Sequence, residues 1–83
     1  MNKAFGSKEL LKCIKKLGFT YQRESSSHEI YNPPQGKKNS LGRPLPIKVG
    51  VKSYDPNGRA RYISEIKSYG FTKEEIEIGF RKK

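Results

Sequence analysis

Residues 7–31, SKELLKCIKKLGFTYQRESSSHEIY, change from a helical to a strand pattern of apolar residues. Four apolar side chains recur at helical spacing between Leu10 and Leu17, with lysines on the opposite side. Gly18 follows at a position where helices favour a left-handed residue. The pattern therefore predicts an amphipathic helix that runs to Leu17, with the hydroxyl of Ser7 as its N-cap.

The period of the pattern becomes two after Gly18, as is typical of strands. Phe19, Tyr21 and Arg23 alternate with Thr20, Gln22 and Glu24, which predicts a first strand. The polar turn Ser25-Ser26-Ser27 follows it. The segment His28 to Asn32 then predicts a second strand, paired with the first as a hairpin. Pro33-Pro34 ends it, because proline has no N–H for a strand ladder.

The second half of the chain predicts one more strand and two helices. Residues 33–46 form a loop rich in Pro, Gly, Asn and Lys, and alternation over 47–52 predicts a third strand. Asp55 or Asn57 can cap a helix that ends at Gly70. The sequence TKEE from Thr72 fits a capping box, which predicts a short last helix.

The element order predicts a single domain over residues 1–83, of the α+β class. We expect a three-stranded antiparallel sheet with two helices on one face, plus a short C-terminal helix. Apolar residues make up 33% of the 83, enough for one thin core. We expect the loop 33–46 to join the second and third strands, and residues 81–83 to be frayed.

Charge and composition favour an anionic partner and exclude several classes of protein. The chain has 18 Lys and Arg against 8 Asp and Glu, a net charge of +10. No run approaches the about 20 apolar residues of a membrane span, and the start lacks the apolar stretch of a signal peptide. Cys13 and a single histidine cannot build a structural zinc site, and glycine-rich phosphate loops are absent. We expect a soluble cytoplasmic domain with no metal, no small-molecule cofactor and no membrane partner.

Several short motifs resemble those of the HicA family, the mRNA interferase toxins of bacterial toxin–antitoxin pairs. They are Leu17-Gly18-Phe19, Ser26-Ser27-His28, Ile30-Tyr31, and Gly70-Phe71-Thr72 followed by Glu74 and Glu75. The resemblance implies a fold like that of a double-stranded-RNA-binding domain, α-β-β-β-α. It also implies cleavage of mRNA by a catalytic His28, inhibition of translation, and neutralisation by a HicB-like antitoxin. Ser26 stands where the family usually has glycine.

The chemistry of RNA cleavage suits His28, the only histidine. RNA carries a 2′-hydroxyl that attacks the neighbouring phosphorus once it is deprotonated. An imidazole takes and returns protons near neutral pH, so His28 is a candidate general base, general acid, or both. The alternative is a structural histidine, because His28 shares strand parity with Ile30, a residue that can face the core.

Basic residues are candidates for contacts to RNA. Arg23, Arg43 and Lys48 are candidates to stabilise charge on a transferring phosphate. Other lysines are candidates for sequence-independent contacts to the RNA backbone. They are, on the first helix, Lys8, Lys12, Lys15 and Lys16, and, in the loop, Lys37 and Lys38. The alternative for each is a solvated surface charge.

Three further residue types have two interpretations each. Ser26 and Ser27 can hold the turn through their hydroxyls, and Ser27 can also orient substrate. Tyr21 and Tyr31 can stack on bases or pack in the domain. Cys13 fits a small core residue better than a nucleophile.

Two other functions compete with RNA cleavage. One is a non-catalytic RNA-binding module of the same fold, which the charge and architecture favour equally. The other is a binder of an acidic protein, which is compatible with a toxin because an antitoxin is such a partner.

Overall fold

Three strands and three helices follow one another in the predicted order. The computed structural model describes residues 4–37 and 42–81. The strands form an antiparallel sheet in the order β1-β2-β3, so the predicted α+β class is confirmed. The elements are α1 (Ser7–Lys16), β1 (Thr20–Ser25), β2 (His28–Asn32), β3 (Leu45–Lys48), α2 (Pro56–Ser68) and α3 (Lys73–Phe80).

The two faces of the sheet differ in chemistry. Residues directly opposite each other on neighbouring strands share a face, and successive residues of a strand alternate between faces. The helix side holds two carboxylates and three members of the hydrophobic core, and its paired residues are Tyr21, Glu24, Glu29, Tyr31, Leu45 and Ile47. We call the other side the outer face, and its paired residues are Thr20, Arg23, Ser25, His28, Ile30, Asn32, Pro46 and Lys48.

The hydrophobic core lies between the helix side of the sheet and the three helices. The strands contribute Tyr31, Leu45 and Ile47 to it. Full burial of such a side chain is worth about 1.5–3 kcal/mol relative to exposure, so this layer fixes which face of the sheet turns inward. The other members are Phe5, Leu10, Cys13, Ile14, Phe19, Tyr54, Ile66, Tyr69, Phe71 and Ile76.

Helix α1 begins at Ser7 as the sequence predicts, but its N-cap is Gly6 and not Ser7. The Glu9 carboxylate accepts from the Gly6 N–H at 2.9 Å. The Ser7 hydroxyl instead donates to the carbonyl of Val51 and accepts from its N–H, each at 3.1 Å. Only glycine fits before it, since a Cβ on residue 6 would lie 2.1 Å from the Lys52 carbonyl oxygen.

Gly18 ends α1 as predicted. Its φ is +102°, and its N–H donates to the Lys15 carbonyl at 3.1 Å. The next N–H, of Phe19, donates to the Ile14 carbonyl at 3.0 Å, which completes a Schellman motif. The chain leaves the helix here and enters β1.

The predicted alternation across residues 19–24 is wrong at one position. A bulge at Gln22 shifts the register, so Tyr21 pairs with Tyr31 while Arg23 pairs with Ile30. Tyr21 and Arg23 therefore lie on opposite faces of the sheet, whereas strict alternation would place them together.

The predicted loop 33–46 is too long, and the predicted third strand begins too late. Strand β3 already starts at Leu45, which pairs with Tyr31, and Pro46 pairs with Ile30. A proline is tolerated there because β3 is an edge strand. The strand ends at Lys48, so residues 49–52 do not continue it.

The caps of the last two helices confirm their predicted starts. The Asp55 carboxylate accepts from the Gly58 N–H at 2.7 Å, with Pro56 as the first helical residue. Thr72 and Glu75 form the predicted capping box, with bonds of 3.1 and 2.8 Å.

None of the helices in the described part of the chain is long and apolar enough to cross a membrane. Of the predicted frayed end, residues 82–83 lie outside the described residues.

Candidate functional site

His28 opens β2 and lies on the outer face, away from the core. It pairs with Ser25 across the hairpin and with Lys48 on the other side, and it is half-buried. Directly paired residues have Cα atoms about 4.5–5.5 Å apart. His28 shares its face with Ile30, which is only 8% exposed but lies outside the core cluster that packs against the helices. His28 itself is only partly buried, so part of the residue is in contact with solvent.

The turn before His28 is strained at Ser26. The hairpin closes with only Ser26 and Ser27 between the paired Ser25 and His28. The φ of Ser26 is +55°, a left-handed value that favours glycine. The Ser27 carbonyl accepts from the Val49 N–H at 3.3 Å, which ties the turn to the end of β3. Both serines are thus placed to hold the turn that presents His28.

Two tyrosines hold the backbone of Lys48. The Lys48 N–H donates to the hydroxyl of Tyr62 on α2 at 3.0 Å, and the Tyr54 hydroxyl donates to the Lys48 carbonyl at 2.5 Å. The two rings pack with centroids 4.8 Å apart. Burial, followed by the neighbouring Tyr62, raises the pKa of Tyr54, so its hydroxyl stays a donor at neutral pH. Lys48 is consequently fixed opposite His28 by contacts outside the sheet.

Arg23 joins this pair on the outer face. It lies two residues before Ser25, the partner of His28, so it occupies a diagonal position about 7–8 Å away. The paired residues of the outer face include two cations, Arg23 and Lys48, and no carboxylate. The structure therefore brings together three of the predicted site residues, Arg23, His28 and Lys48, on one face of the sheet.

Arg43 does not join them. It lies two residues before β3, whereas Lys48 is the last residue of that strand. The strand alone separates its two ends by about 10 Å at ~3.3 Å per residue. The Arg43 carbonyl accepts from the Tyr69 hydroxyl at 2.7 Å, which holds this segment against the end of α2.

The lysines of α1 form a second basic surface on the other side of the sheet from His28. Lys8, Lys12, Lys15 and Lys16 are all exposed on a helix whose apolar side packs in the core. The Lys16 ammonium donates to the carbonyl of Arg81 at the end of α3. This surface and the outer face cannot contact the same short stretch of a ligand.

The two loop lysines that the sequence offers as RNA contacts are Lys37 and Lys38. Lys37 is half-buried, its Nζ donates to the Gly70 carbonyl at 3.1 Å, and it lies 4.8 Å from the centre of the Phe71 ring. It joins the loop to the turn between α2 and α3, far from the outer-face cations. Lys38 lies outside the described residues.

The two hairpin tyrosines have separate environments. Tyr31 is buried and its hydroxyl donates to Glu29 at 2.8 Å; burial and then Glu29 raise its pKa to about 12. Tyr21 packs edge-on against it with ring centroids 5.7 Å apart, but is itself 55% exposed. Only Tyr21 is available to a ligand.

Sequence reasoning missed Ser25, Tyr54 and Tyr62 as parts of the site. The position of Ser25 opposite His28 follows from a two-residue hairpin turn, which the alternating residues on both sides of the three serines indicate. The two tyrosines carry no signal in the sequence pattern, because their bonds depend on how the chain turns back from α2 to the end of β3.

Chemically, the arrangement places an imidazole and two cationic residues on one face of the sheet, a combination that suits an anionic ligand. His28 lies between Ser25 and Lys48 in the ladder, with Arg23 at a diagonal position. Within residues 4–37 and 42–81 no three His, Cys, Asp or Glu side chains gather as metal ligands.

Searches against protein-family models, curated proteins and solved structures find no match to this chain.

Proposed function

We propose that this chain is an endoribonuclease that cleaves mRNA without a metal, with His28 as its general acid and base. The observation that carries the proposal is the pairing of His28 with Lys48 on the face of the sheet that also holds Arg23. A polyanion is attracted to such a surface, and RNA adds the 2′-hydroxyl on which an imidazole can act.

In the proposed reaction the neutral imidazole of His28 removes the proton of a 2′-hydroxyl. The oxygen attacks the adjacent phosphorus, and the P–O5′ bond breaks to leave a 2′,3′-cyclic phosphate. The imidazolium returns the proton to the departing 5′ oxygen, so no proton is gained or lost. Lys48 and Arg23 stabilise the negative charge that builds on the phosphoryl oxygens.

The resemblance to HicA toxins supports the wider role that we propose. In that role the chain is the toxin of a type II toxin–antitoxin pair, cleaves mRNA with little sequence preference, and is neutralised by a HicB-like antitoxin. Contacts from Lys8, Lys12 and Lys15 to phosphates fit low preference, because they carry no base information. The α-β-β-β-α order, with the helix side covered, supports a similarity to double-stranded-RNA-binding domains.

The test compares wild type with His28→Ala on an end-labelled single-stranded mRNA fragment in EDTA. We expect wild type to release fragments ending in a cyclic phosphate, and His28→Ala to cleave about 10²–10⁴-fold more slowly. Asn32→Ala is the matched control, since Asn32 is a half-buried polar residue on the outer face of the same strand. It should keep its activity.

Circular dichroism melts of all three proteins separate catalysis from folding. Two folded variants, with only His28→Ala inactive, support the enzyme. If wild type binds the RNA and cuts none of it, the chain is a non-catalytic RNA-binding module instead.

A further inference from the structure

The two edge strands of the sheet differ in whether their outward backbone groups are hydrogen-bonded to the rest of the domain. On the β3 edge, both backbone groups of Lys48 are bonded to the hydroxyls of Tyr62 and Tyr54. On the opposite edge, β1 (Thr20–Ser25) has all six side chains exposed. No described residue bonds to the backbone groups that β1 turns away from β2. We call this side of β1 the free edge.

An unpaired edge is a template for another strand. Natural sheets often protect such edges with proline or lysine, and β1 contains neither. It does contain the bulge at Gln22, which interrupts the ladder into two short stretches. Backbone pairing alone is therefore weak here, and the side chains of an added strand must supply part of the binding.

Those side chains would meet two different surfaces. On the outer face they lie beside Arg23, with Lys48 two strands further in and no carboxylate among the paired residues. On the helix side they lie beside the exposed ring of Tyr21 and, past the bulge, beside the exposed Glu24, which would repel a carboxylate on the added strand. A strand that alternates acidic with apolar residues satisfies both, because successive side chains point to opposite faces.

We propose that the free edge of β1 binds an extended segment of a partner protein in which acidic and apolar residues alternate. The segment adds a fourth strand to the sheet, its carboxylates face Arg23 and its apolar side chains cover Tyr21. The net charge of +10 draws such a segment to the domain. This inference concerns a protein partner and does not depend on RNA cleavage.

The probe is a fluorescent peptide of about twelve residues that alternates Glu and Val, long enough to span β1. We expect saturable binding by anisotropy and slower amide hydrogen exchange within residues 20–25. A peptide with Lys in place of Glu should bind at least tenfold more weakly. Equal binding of both peptides, or no binding at about 1 mM, would overturn the proposal.

Two variants with matched exposure locate the contact. Tyr21→Ala should weaken binding about five- to tenfold, the effect of one lost aromatic contact. Ile78→Ala on α3 removes a side chain that is 56% exposed and should have no effect. The exchange map on wild type still decides the matter if Tyr21→Ala does not fold.

Other occupants of the edge give different results. Slow exchange in residues 20–25 that rises with protein concentration and needs no peptide would identify a second copy of this chain. Slow exchange there on addition of a single-stranded RNA, with no effect of the peptide, would identify nucleic acid. Either result would replace the proposed partner.

Discussion

Lys48 lies directly opposite His28 in the ladder between β2 and β3, on the outer face of the sheet. The two residues belong to different strands joined by the long loop, and they meet because Leu45 pairs with Tyr31. One residue of slip would turn Lys48 toward the helices. The proposed chemistry therefore depends on a register that the buried Leu45 and Ile47 enforce.

Replacement of Lys48 tests its role in the transition state. We expect Lys48→Gln to lower kcat for RNA cleavage about 10–100-fold with a smaller change in KM, because charge develops on the phosphate only during reaction. Lys12→Gln, on exposed α1, is the control and should raise KM and reduce the salt slope of binding by about one. A change confined to KM in Lys48→Gln would contradict the catalytic role.

The hydroxyl of Tyr62 should contribute measurably to stability. Tyr62→Phe leaves the Lys48 N–H without its acceptor while the ring remains. We expect a loss of about 1 kcal/mol in the free energy of unfolding and a Tm lower by about 4–8 °C. Tyr21→Phe is the control, since the exposed hydroxyl of Tyr21 makes no bond to a described residue. Equal melting of the two variants would argue against the bond.

Glycine at position 26 should relieve the strained turn. The φ of +55° costs a non-glycine residue about 1–2 kcal/mol. Ser26→Gly is therefore expected to raise the free energy of unfolding by about 1 kcal/mol, measured by urea denaturation. Ser27→Gly, at a residue outside the left-handed region, should give no gain. If both substitutions stabilise equally, backbone strain at Ser26 is not the cause.

Stability should fall in alkaline solution because of Cys13. Burial raises the pKa of its thiol to about 12, against about 8.5 in an unfolded chain. The folded state holds that proton more tightly, so this contribution is complete below about pH 8.5 and is lost as the pH rises toward 12. We expect a slope that steepens from about −0.3 kcal/mol per pH unit at pH 8 to about −1 at pH 9, a range in which tyrosines of ordinary pKa near 10 are still largely protonated in the unfolded chain.

Cys13→Ala isolates that slope. The variant should be less stable overall, because the thiol packs in the core and donates to the Ile76 carbonyl at 3.6 Å. Its stability should nevertheless be nearly flat between pH 8 and 9. The same slope in both proteins would assign the alkaline loss to other groups.

The start of α1 should not tolerate any side chain at position 6. In Gly6→Ala the new Cβ would lie 2.1 Å from the Lys52 oxygen and 2.6 Å from the Val51 oxygen, both backbone atoms. We expect a loss of more than about 2 kcal/mol by urea denaturation. Gly36→Ala meets nothing within 4 Å and should cost only about 1 kcal/mol for its positive φ. Similar losses of stability in the two variants would show that the backbone of residues 51–52 shifts to make room for the new Cβ.

Local signals in the sequence predicted the parts of the fold that local physics decides. Gly18 ends α1, Thr72 caps α3, and the serines turn the hairpin because each acts through backbone groups within a few residues. The hairpin also places His28 and the strained Ser26. These features require no knowledge of distant residues.

The remaining features depend on residues that are far apart along the chain. The Ser7 hydroxyl binds Val51 and leaves the N-cap to Gly6, which no local pattern shows. The bulge at Gln22 and the start of β3 at Leu45 follow from which side chains fit the core. The charge of Lys48 made it a candidate site residue. Its position opposite His28 could not be predicted, because it depends on the register between β2 and β3, which a long loop separates in sequence.

The bonds from Tyr62 and Tyr54 to Lys48 also set an order of assembly during synthesis. The hairpin that carries His28 is complete at residue 32, but the last contact that fixes Lys48 comes from residue 62. Those 62 − 32 = 30 residues take about 1.5–6 s to polymerise at ~5–20 residues per second. A nascent chain therefore exposes its imidazole well before the lysine is locked beside it, and the pair matures only as α2 is added.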